Sequence, residues 1–334
     1  MNTKEMLKKV YDGGVLNKIE TTTLFNSLFQ GEVAECELAA LLIAMKMRKE
    51  SADEIAGAAV SMREFALSPG ITGDNLFDTC GTGGDGIHSF NVSSAVAIIL
   101  NSMGCPIVKH GNRSVSSLSG SADFYEALGI PINLKAEEAR TYFDKTNFIF
   151  MFAPNYHPAM KYAVPVRKQL ATRTLFNMLG PLTNPTRPKR QMIGIFDKAY
   201  LPVYSQAAVQ IGFDHLVLYS SQDGMDEVSP FAITQVAEIK GHNIREYEID
   251  PAPYITKEEA KSIPSHYSAQ QNAQLFLETV SEKKDTPLVK LLSLNSALAL
   301  CVLDKASSIE EGFKMAYEQI ISGNVMHSIK RLRG

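Results

Sequence analysis

The chain has 334 residues, 45% of them hydrophobic and 21% charged, and a net charge of -3. That length is enough for a large core and more often holds two domains than one. The mild acidity argues against a general nucleic-acid binder, and no run approaches the roughly 20 apolar residues of a membrane span. The four cysteines, Cys36, Cys80, Cys105 and Cys301, lack CxxC spacing. They read as reduced, mostly buried thiols of a cytoplasmic protein, not as a zinc site or a disulfide framework. The N-terminal segment lacks the apolar core of a secretory signal.

Residues 1 to about 66 read as helices only. Thr3 is placed to cap a first helix that stops at Gly13-Gly14, and a second ends at Gly31. In the third, Leu38, Leu41, Leu42 and Met45 fall at i, i+3, i+4 and i+7, one apolar stripe. Ser51 to Glu54 is a capping box that opens a fourth helix through Ala56, Ala59 and Met62. So small a helical layer needs an apolar partner surface, from the rest of the chain, a second copy, or both.

From residue 75 the pattern alternates. Leu76-Phe77 leads into Gly81-Thr82-Gly83-Gly84-Asp85-Gly86, and Val92 to Met103 then reads as a helix. Pro106-Ile107-Val108 is a short strand followed by a cationic loop, Lys109 to Ser114. Ala122 to Leu128 reads as a helix, and Phe148 to Phe152 as a buried parallel strand. Val164 to Leu179 reads as one helix, broken at Gly180-Pro181. Met192 to Phe196 and Leu216 to Tyr219 are further strands. Residues 232–239 and 244–249 suggest an edge hairpin, and 267–322 are helical again. This order predicts an α/β fold: a small all-helical domain over 1–70, joined by helices from about 158–182, and an α/β domain over 71–334 with a mainly parallel sheet.

Ligands of open α/β sheets bind outside the carboxyl ends of the strands. Three segments are expected to converge there: the glycine loop, the cationic loop, and Ser220 to Glu227. The glycines let backbone N–H groups approach an anion, and the helix from Val92 adds its positive end. A plain tight turn is the bland alternative. Gly81, Gly83 and Gly86 also match G-x-G-x-x-G, which would imply a dinucleotide. That motif requires an acidic residue about 20 positions on, at the end of the next strand. Lys109-His110 stands there instead, and a cation suits phosphate. No Gly-Lys-Ser/Thr ends the loop, so the P-loop also fails. Asn91, Ser93 and Ser94 read equally as a helix N-cap or as phosphate and metal contacts. Asp226-Glu227 is a solvated pair on the bland reading; at the edge of a polyphosphate it suits Mg²⁺. His157 and Arg167, taken alone, read as structural. No Ser/His/Asp or Cys/His nucleophile and no histidine metal cluster stands out.

These strings closely resemble the anthranilate phosphoribosyltransferases, the tryptophan-pathway members of the helical-domain phosphoribosyltransferases. The match runs through Gly81-Thr82-Gly83-Gly84-Asp85, Phe90-Asn91-Val92-Ser93, Lys109 to Ser117, Ser119 to Asp123, Phe152-Ala153-Pro154, His157-Pro158, Arg167-Lys168, Asn177 to Pro185 and Asp226-Glu227. The resemblance implies transfer of a phosphoribosyl group from 5-phosphoribosyl 1-diphosphate to the amine of anthranilate, with release of diphosphate, on a nucleoside phosphorylase/phosphoribosyltransferase-like fold. It implies that Gly81, Gly84, Asp85, Ser89, Asn91, Val92, Ser93, Ser94, Lys109, His110, Gly111, Asn112, Arg113, Ser114, Val115, Ser116, Ser117 and Ser121 bind the donor. Gly81, His110, Asn112, Pro154, His157 and Arg167 would meet anthranilate. Ser93, Asp226 and Glu227 would hold two Mg²⁺ ions. It also implies a homodimer through the helical domain and no nucleic-acid or membrane partner. Ser89 stands where Thr is common, Leu118 where Lys is frequent, and Ala171-Thr172 departs from the usual residues.

The chemistry needs no nucleophilic triad. An aniline nitrogen is already unprotonated at neutral pH; the difficulty lies in the leaving group, which Mg²⁺ and cationic donors stabilise. A relative of the same fold that binds nucleic acid or another aromatic acid, for which a basic groove is expected, is one alternative; a pyrimidine nucleoside phosphorylase of the same architecture is the other. It is expected to carry a different glycine loop and no Asn-Arg after His-Gly.

Overall fold

The computed structural model describes residues 1–83, 90–114 and 118–334. Four helices come first: α1 (Thr3–Tyr11), α2 (Lys18–Gln30), α3 (Glu35–Arg48) and α4 (Ala52–Glu64). Their ends follow local chemistry. Asn2 and Asn17 form capping boxes with Glu5 and Glu20, and Ser51 does so with Glu54. The first cap is thus Asn2, one residue before the expected Thr3. The stripe on α3 is buried at Leu38, Leu41, Leu42 and Met45.

The remaining elements alternate before a helical end: β1 (Phe77–Gly81), α5 (Val92–Ser102), β2 (Ile107–Gly111), α6 (Ser121–Ala127), α7 (Ala136–Thr146), β3 (Phe148–Phe152), α8 (Ala153–Tyr156), α9 (Val164–Leu170), α10 (Leu175–Leu182), β4 (Arg190–Gly194), α11 (Leu201–Ile211), β5 (His215–Ser221), β6 (Thr234–Lys240), β7 (Asn243–Ile249), α12 (Lys257–Ala260), α13 (Ala269–Glu282), α14 (Pro287–Val302), α15 (Ile309–Ile321) and α16 (Asn324–Leu332). The strands form one sheet in the order β3-β2-β1-β4-β5-β6-β7. Pairing is parallel from β3 to β5, and β6 and β7 close the edge as an antiparallel hairpin. The order reverses between β1 and β4, which makes the crevice at their carboxyl ends the expected ligand position.

One apolar cluster fills the sheet face covered by α5, α6 and α13 to α16. A second is shared by the helical bundle, α9, α10, α11 and the opposite face, where Ile193, Leu216, Leu218 and Ile239 point. The helical layer therefore finds its apolar partner within the chain. Polar ties reinforce the contact: Lys18 Nζ donates to Gln210 O at 2.7 Å, and Arg63 Nε to Leu182 O at 2.6 Å.

Two expectations need correction. Val164 to Leu179 is not one helix. It breaks between Leu170 and Leu175, where Ala171 caps α9 in the left-handed region at φ 46°, and Pro181 lies inside the last turn of α10. A proline cannot donate to residue i−4, but near the end of so short a helix little is lost. Second, Lys109 and His110 lie on β2 itself, not in the loop beyond it. Among the described residues no single helix is long and apolar enough to cross a membrane.

Candidate active site at the carboxyl edge of the sheet

The acidic pair sits over the ends of β1 and β4. Asp226 Oδ2 accepts from the Gly83 amide at 2.8 Å, and Glu227 Oε1 from the Ser93 amide at 3.0 Å. Glu227 therefore occupies the positive end of α5, where an anion is favoured. Glycines make this packing possible. A Cβ on Gly81 would stand 2.9 Å from Asp226 Cγ, and one on Gly194 would stand 2.6 Å from the Asp226 carbonyl carbon. Thr82 adds a further tie, since its hydroxyl oxygen accepts from the Phe196 amide at 3.1 Å. Both carboxylates are nearly buried, and Tyr219 OH donates to Glu227 Oε2 at 3.4 Å.

The second wall is joined to the first. Asn91 occupies the N-cap position of α5 but makes no side-chain cap. Its Oδ1 accepts from Ser119 Oγ at 2.7 Å and from Asn272 Nδ2 at 2.9 Å, and its Nδ2 donates to Ser119 O at 3.2 Å. Asn91 thus ties the exit of the glycine loop to the serine-rich loop. Arg113 forms ion pairs with Asp123 at 2.6 Å and Glu126 at 2.8 Å and lies 5.7 Å from the Phe152 ring centre. It is an exposed cation already held by two carboxylates. Asp123 also accepts from the Ser114 and Gly120 amides, which fixes the turn into α6. Gly111 is confined by Ser121 and the Phe150 ring, so the end of β2 admits no side chain. Asn112 is exposed; its Oδ1 accepts from the Arg113 amide at 2.8 Å and its carbonyl from Ser121 Oγ at 3.3 Å.

Beneath both walls lies a buried polar floor. Lys109 is 1% exposed and its Nζ donates to the Thr79 carbonyl. Burial lowers its pKa, and the Asp78 carboxylate is the leading opposing charge, ahead of Cys80, Glu227 and Asp226. Asp78 is fully buried, which pushes its carboxyl up to about 6 against the pull of Lys109 and of hydrogen bonds from Asn184 and the His110 amide.

Toward the helical layer, the His110 and His157 rings lie 5.0 Å apart. Burial lowers His110 to about 3 and His157 to about 4, so both are neutral at physiological pH. His110 Nδ1 lies 3.2 Å from Gly180 O, which assigns it the proton; Nε2 has no partner among the described residues. His157 borders an apolar patch formed by Phe29, Met62, Phe65, Ala159 and Met160. Arg167, on α9, lies 5.3 Å from the Phe176 ring centre and has no carboxylate partner among the described residues. Burial lowers its pKa. Pro154 opens α8 at the end of β3 and is exposed.

The structure thus brings Gly81, Gly83, Asn91, Val92, Ser93, Ser94, Lys109, His110, Gly111, Asn112, Asp226 and Glu227 to one edge of the sheet, while Arg113 is turned onto α6. Gly84, Asp85, Ser89, Val115, Ser116 and Ser117 lie outside the described residues. Sequence reasoning missed Gly194 and Asp78. Only Asp78 left a signal, a charge inside the apolar run Leu76 to Cys80.

Comparison with known proteins followed the same division. Residues 4–66 match the helical bundle domain of a glycosyl transferase family, and residues 73–326 match its a/b domain. Anthranilate phosphoribosyltransferases of Ectopseudomonas mendocina and Geobacillus stearothermophilus are both 37% identical over 99% of this chain, covering 96% and 97% of those proteins. Among solved structures, the anthranilate phosphoribosyltransferase of Thermus thermophilus is 31% identical, with a TM-score of 0.90 and 98% of both chains covered. The Saccharomyces cerevisiae enzyme in complex with PRPP and Mg is 26% identical, with a TM-score of 0.88, covering 99% of this chain and 96% of that one.

Proposed function

Because the chain belongs to the anthranilate phosphoribosyltransferases, we propose that the crevice over β1 and β4 is where it joins anthranilate to 5-phosphoribosyl 1-diphosphate. The reaction is a glycosyl transfer in tryptophan biosynthesis: anthranilate nitrogen bonds to ribose C1, and the C1–O bond breaks with its electron pair leaving on diphosphate. The observation that carries the site is the seating of Asp226 and Glu227 on the Gly83 and Ser93 amides, over glycines 81 and 194.

This donor set fits Mg²⁺. Two carboxylates and the Ser93 hydroxyl are hard oxygen ligands, and Mg²⁺ is commonly held by one or two carboxylates with substrate phosphates and water completing its shell. Among the described residues no group of three or more His, Cys, Asp or Glu could hold a metal, so the donor itself would supply further ligands. In our reading Asp226, Glu227 and Ser93 hold two Mg²⁺ ions. Bound there, Mg²⁺ neutralises charge growing on the departing diphosphate.

The remaining roles follow from charge and placement. In our reading Gly81 to Ser94, with Lys109 to Ser117 and Ser121, bind the donor's phosphates. Arg167 meets the anthranilate carboxylate in a charge-assisted pair, and Asn112 orients the ring. Gly81, His110, Pro154 and His157 line its approach, and the neutral imidazoles suit an aromatic ring. No strong base is assigned, since the secondary anilinium formed sheds its proton readily to water. Positioning of two substrates supplies much of the remaining rate.

We also place a homodimer interface on the helical layer, where Tyr11, Val15, Ile19 and Met47 are exposed apolar side chains. Sedimentation should then give a two-chain mass. For the activity, purified protein with PRPP and Mg²⁺ should quench anthranilate fluorescence as anthranilate is consumed. Persistence of the signal at saturating donor would overturn the assignment.

A further inference from the structure

The sheet is split between β1 and β2. Five residue pairs align across β1 and β4 and five across β2 and β3, but across β1 and β2 the register is held at Phe77 and Ile107. Beyond that point side chains take over the backbone groups. Asn184 Nδ2 donates to Val108 O at 2.6 Å, the His110 amide donates to Asp78 Oδ1 at 3.3 Å, and Lys109 Nζ donates to Thr79 O. Asp78 is gripped from three sides, because its Oδ2 also accepts from Asn184 Nδ2 at 2.8 Å and Gln191 Nε2 at 3.3 Å.

We propose that Asp78 is a positioning residue for Lys109. Seated in the split between β1 and β2, it fixes the β2 backbone next to Lys109 through the His110 amide, beside the Thr79 carbonyl that receives the ammonium. The inference rests on reading Lys109 as a phosphate ligand. A buried ammonium needs a counter-charge, and burying it unpaired is strongly unfavourable. Asp226 and Glu227 sit on the acidic loop, seated on the Gly83 and Ser93 amides, and in our reading face the metal. Asp78 is the carboxylate that Asn184, Gln191 and β2 lock in place. The flexible lysine stem supplies the reach that the locked carboxylate lacks. Pro181, whose carbonyl accepts from Gln191 at 2.7 Å, lies in the last turn of α10, which packs on the helical layer, and Asn184 follows just after that helix. The lock therefore also anchors that layer to the floor of the site.

The test is a double-mutant cycle on the full chain, read as separate KM values for PRPP and anthranilate. Asp78→Asn keeps the shape and removes the charge. It should raise the PRPP KM by about tenfold or more, the scale of one charge-assisted contact, with the anthranilate KM within about twofold. In a Lys109→Met background the same change should add nothing, because partners that act as a unit are not additive. A full effect of Asp78→Asn in both backgrounds, or equal rises in both KM values, would overturn the inference alone. An unchanged PRPP KM in Lys109→Met would remove the reading of Lys109 as a phosphate ligand, and the inference with it. If Asp78→Asn does not fold, Asn184→Ser loosens the lock while keeping both charges. A smaller rise confined to the PRPP KM is then expected, and an unchanged value refutes the role.

Discussion

Gly194 has no chemistry of its own, and replacing it should nevertheless disable the site. In Gly194→Ala the new Cβ would stand 2.6 Å from the Asp226 carbonyl carbon and 3.2 Å from its Cα, with the carbonyl oxygen closer still. Ordinary contact begins near 3.4 Å. The acidic loop must therefore retreat by about 0.8 Å or more, since β4 is pinned by parallel partners on both sides. Overpacking of this kind costs about 1–3 kcal/mol of stability. A displacement near 1 Å at a reacting site costs on the order of 100-fold in rate. We expect kcat/KM to fall by about 10- to 100-fold in the anthranilate fluorescence assay, with a higher Mg²⁺ requirement and a melting temperature lower by a few degrees. Gly73→Ala serves as the control, because its Cβ meets nothing nearer than Leu76 at 3.6 Å. If Gly194→Ala keeps the parental kcat/KM and Mg²⁺ dependence, the position of Asp226 does not govern the reaction.

Arg167→Ala should raise the anthranilate KM by about 10- to 100-fold, the range of a charged hydrogen bond, and leave the PRPP KM near its parental value; steady-state kinetics decides. Asp226→Asn with Glu227→Gln should cut Mg²⁺-dependent turnover at least about tenfold, and full activity at limiting Mg²⁺ would discard the metal role. Ala171→Gly should stabilise the fold by up to about 1 kcal/mol, since it relieves a left-handed alanine at some entropic cost; calorimetry would register a higher melting temperature. The buried imidazoles give a pH dependence of known sign. Their folded pKa values, about 3 and 4, lie below the ordinary value near 6.5. Their neutral forms are therefore at full advantage above pH 6.5, and stability falls as pH drops through that value toward 4. His157→Phe should flatten the acid side of the melting-temperature profile relative to the parent, and an unchanged acid slope would contradict the burial argument.

Periodicity and capping made most of the fold readable. The α3 stripe, the capping box at Ser51 and the edge hairpin all depend on contacts within a few residues. The two readings that failed along Val164 to Leu179 and at Lys109 depended on distant partners. The helix breaks at Ala171 because the chain must turn between packed layers, and alanine sends no signal for a left-handed cap. Lys109 looked like a loop residue because a lysine inside a strand is normally excluded; Thr79 and Asp78, thirty residues earlier, make it tolerable. The site divides the same way. Glycine clusters and adjacent carboxylates advertise themselves, whereas Gly194 matters only because a loop from beyond β5 lies on it. Asn91 was legible as a cap and proved to be a strut to Ser119 and Asn272.

The split in the sheet bears on how the molecule can yield under load. Parallel ladders make most open sheets a single stiff plate. Here β2 and β3 form one leaf and β1 with β4 to β7 another, stitched over the length that faces the ligand by bonds that each involve a side chain. Side-chain stitches can be released and remade one at a time. The two leaves carry opposite walls of the crevice, so small rotations about this seam would change its width without breaking either leaf's own ladder.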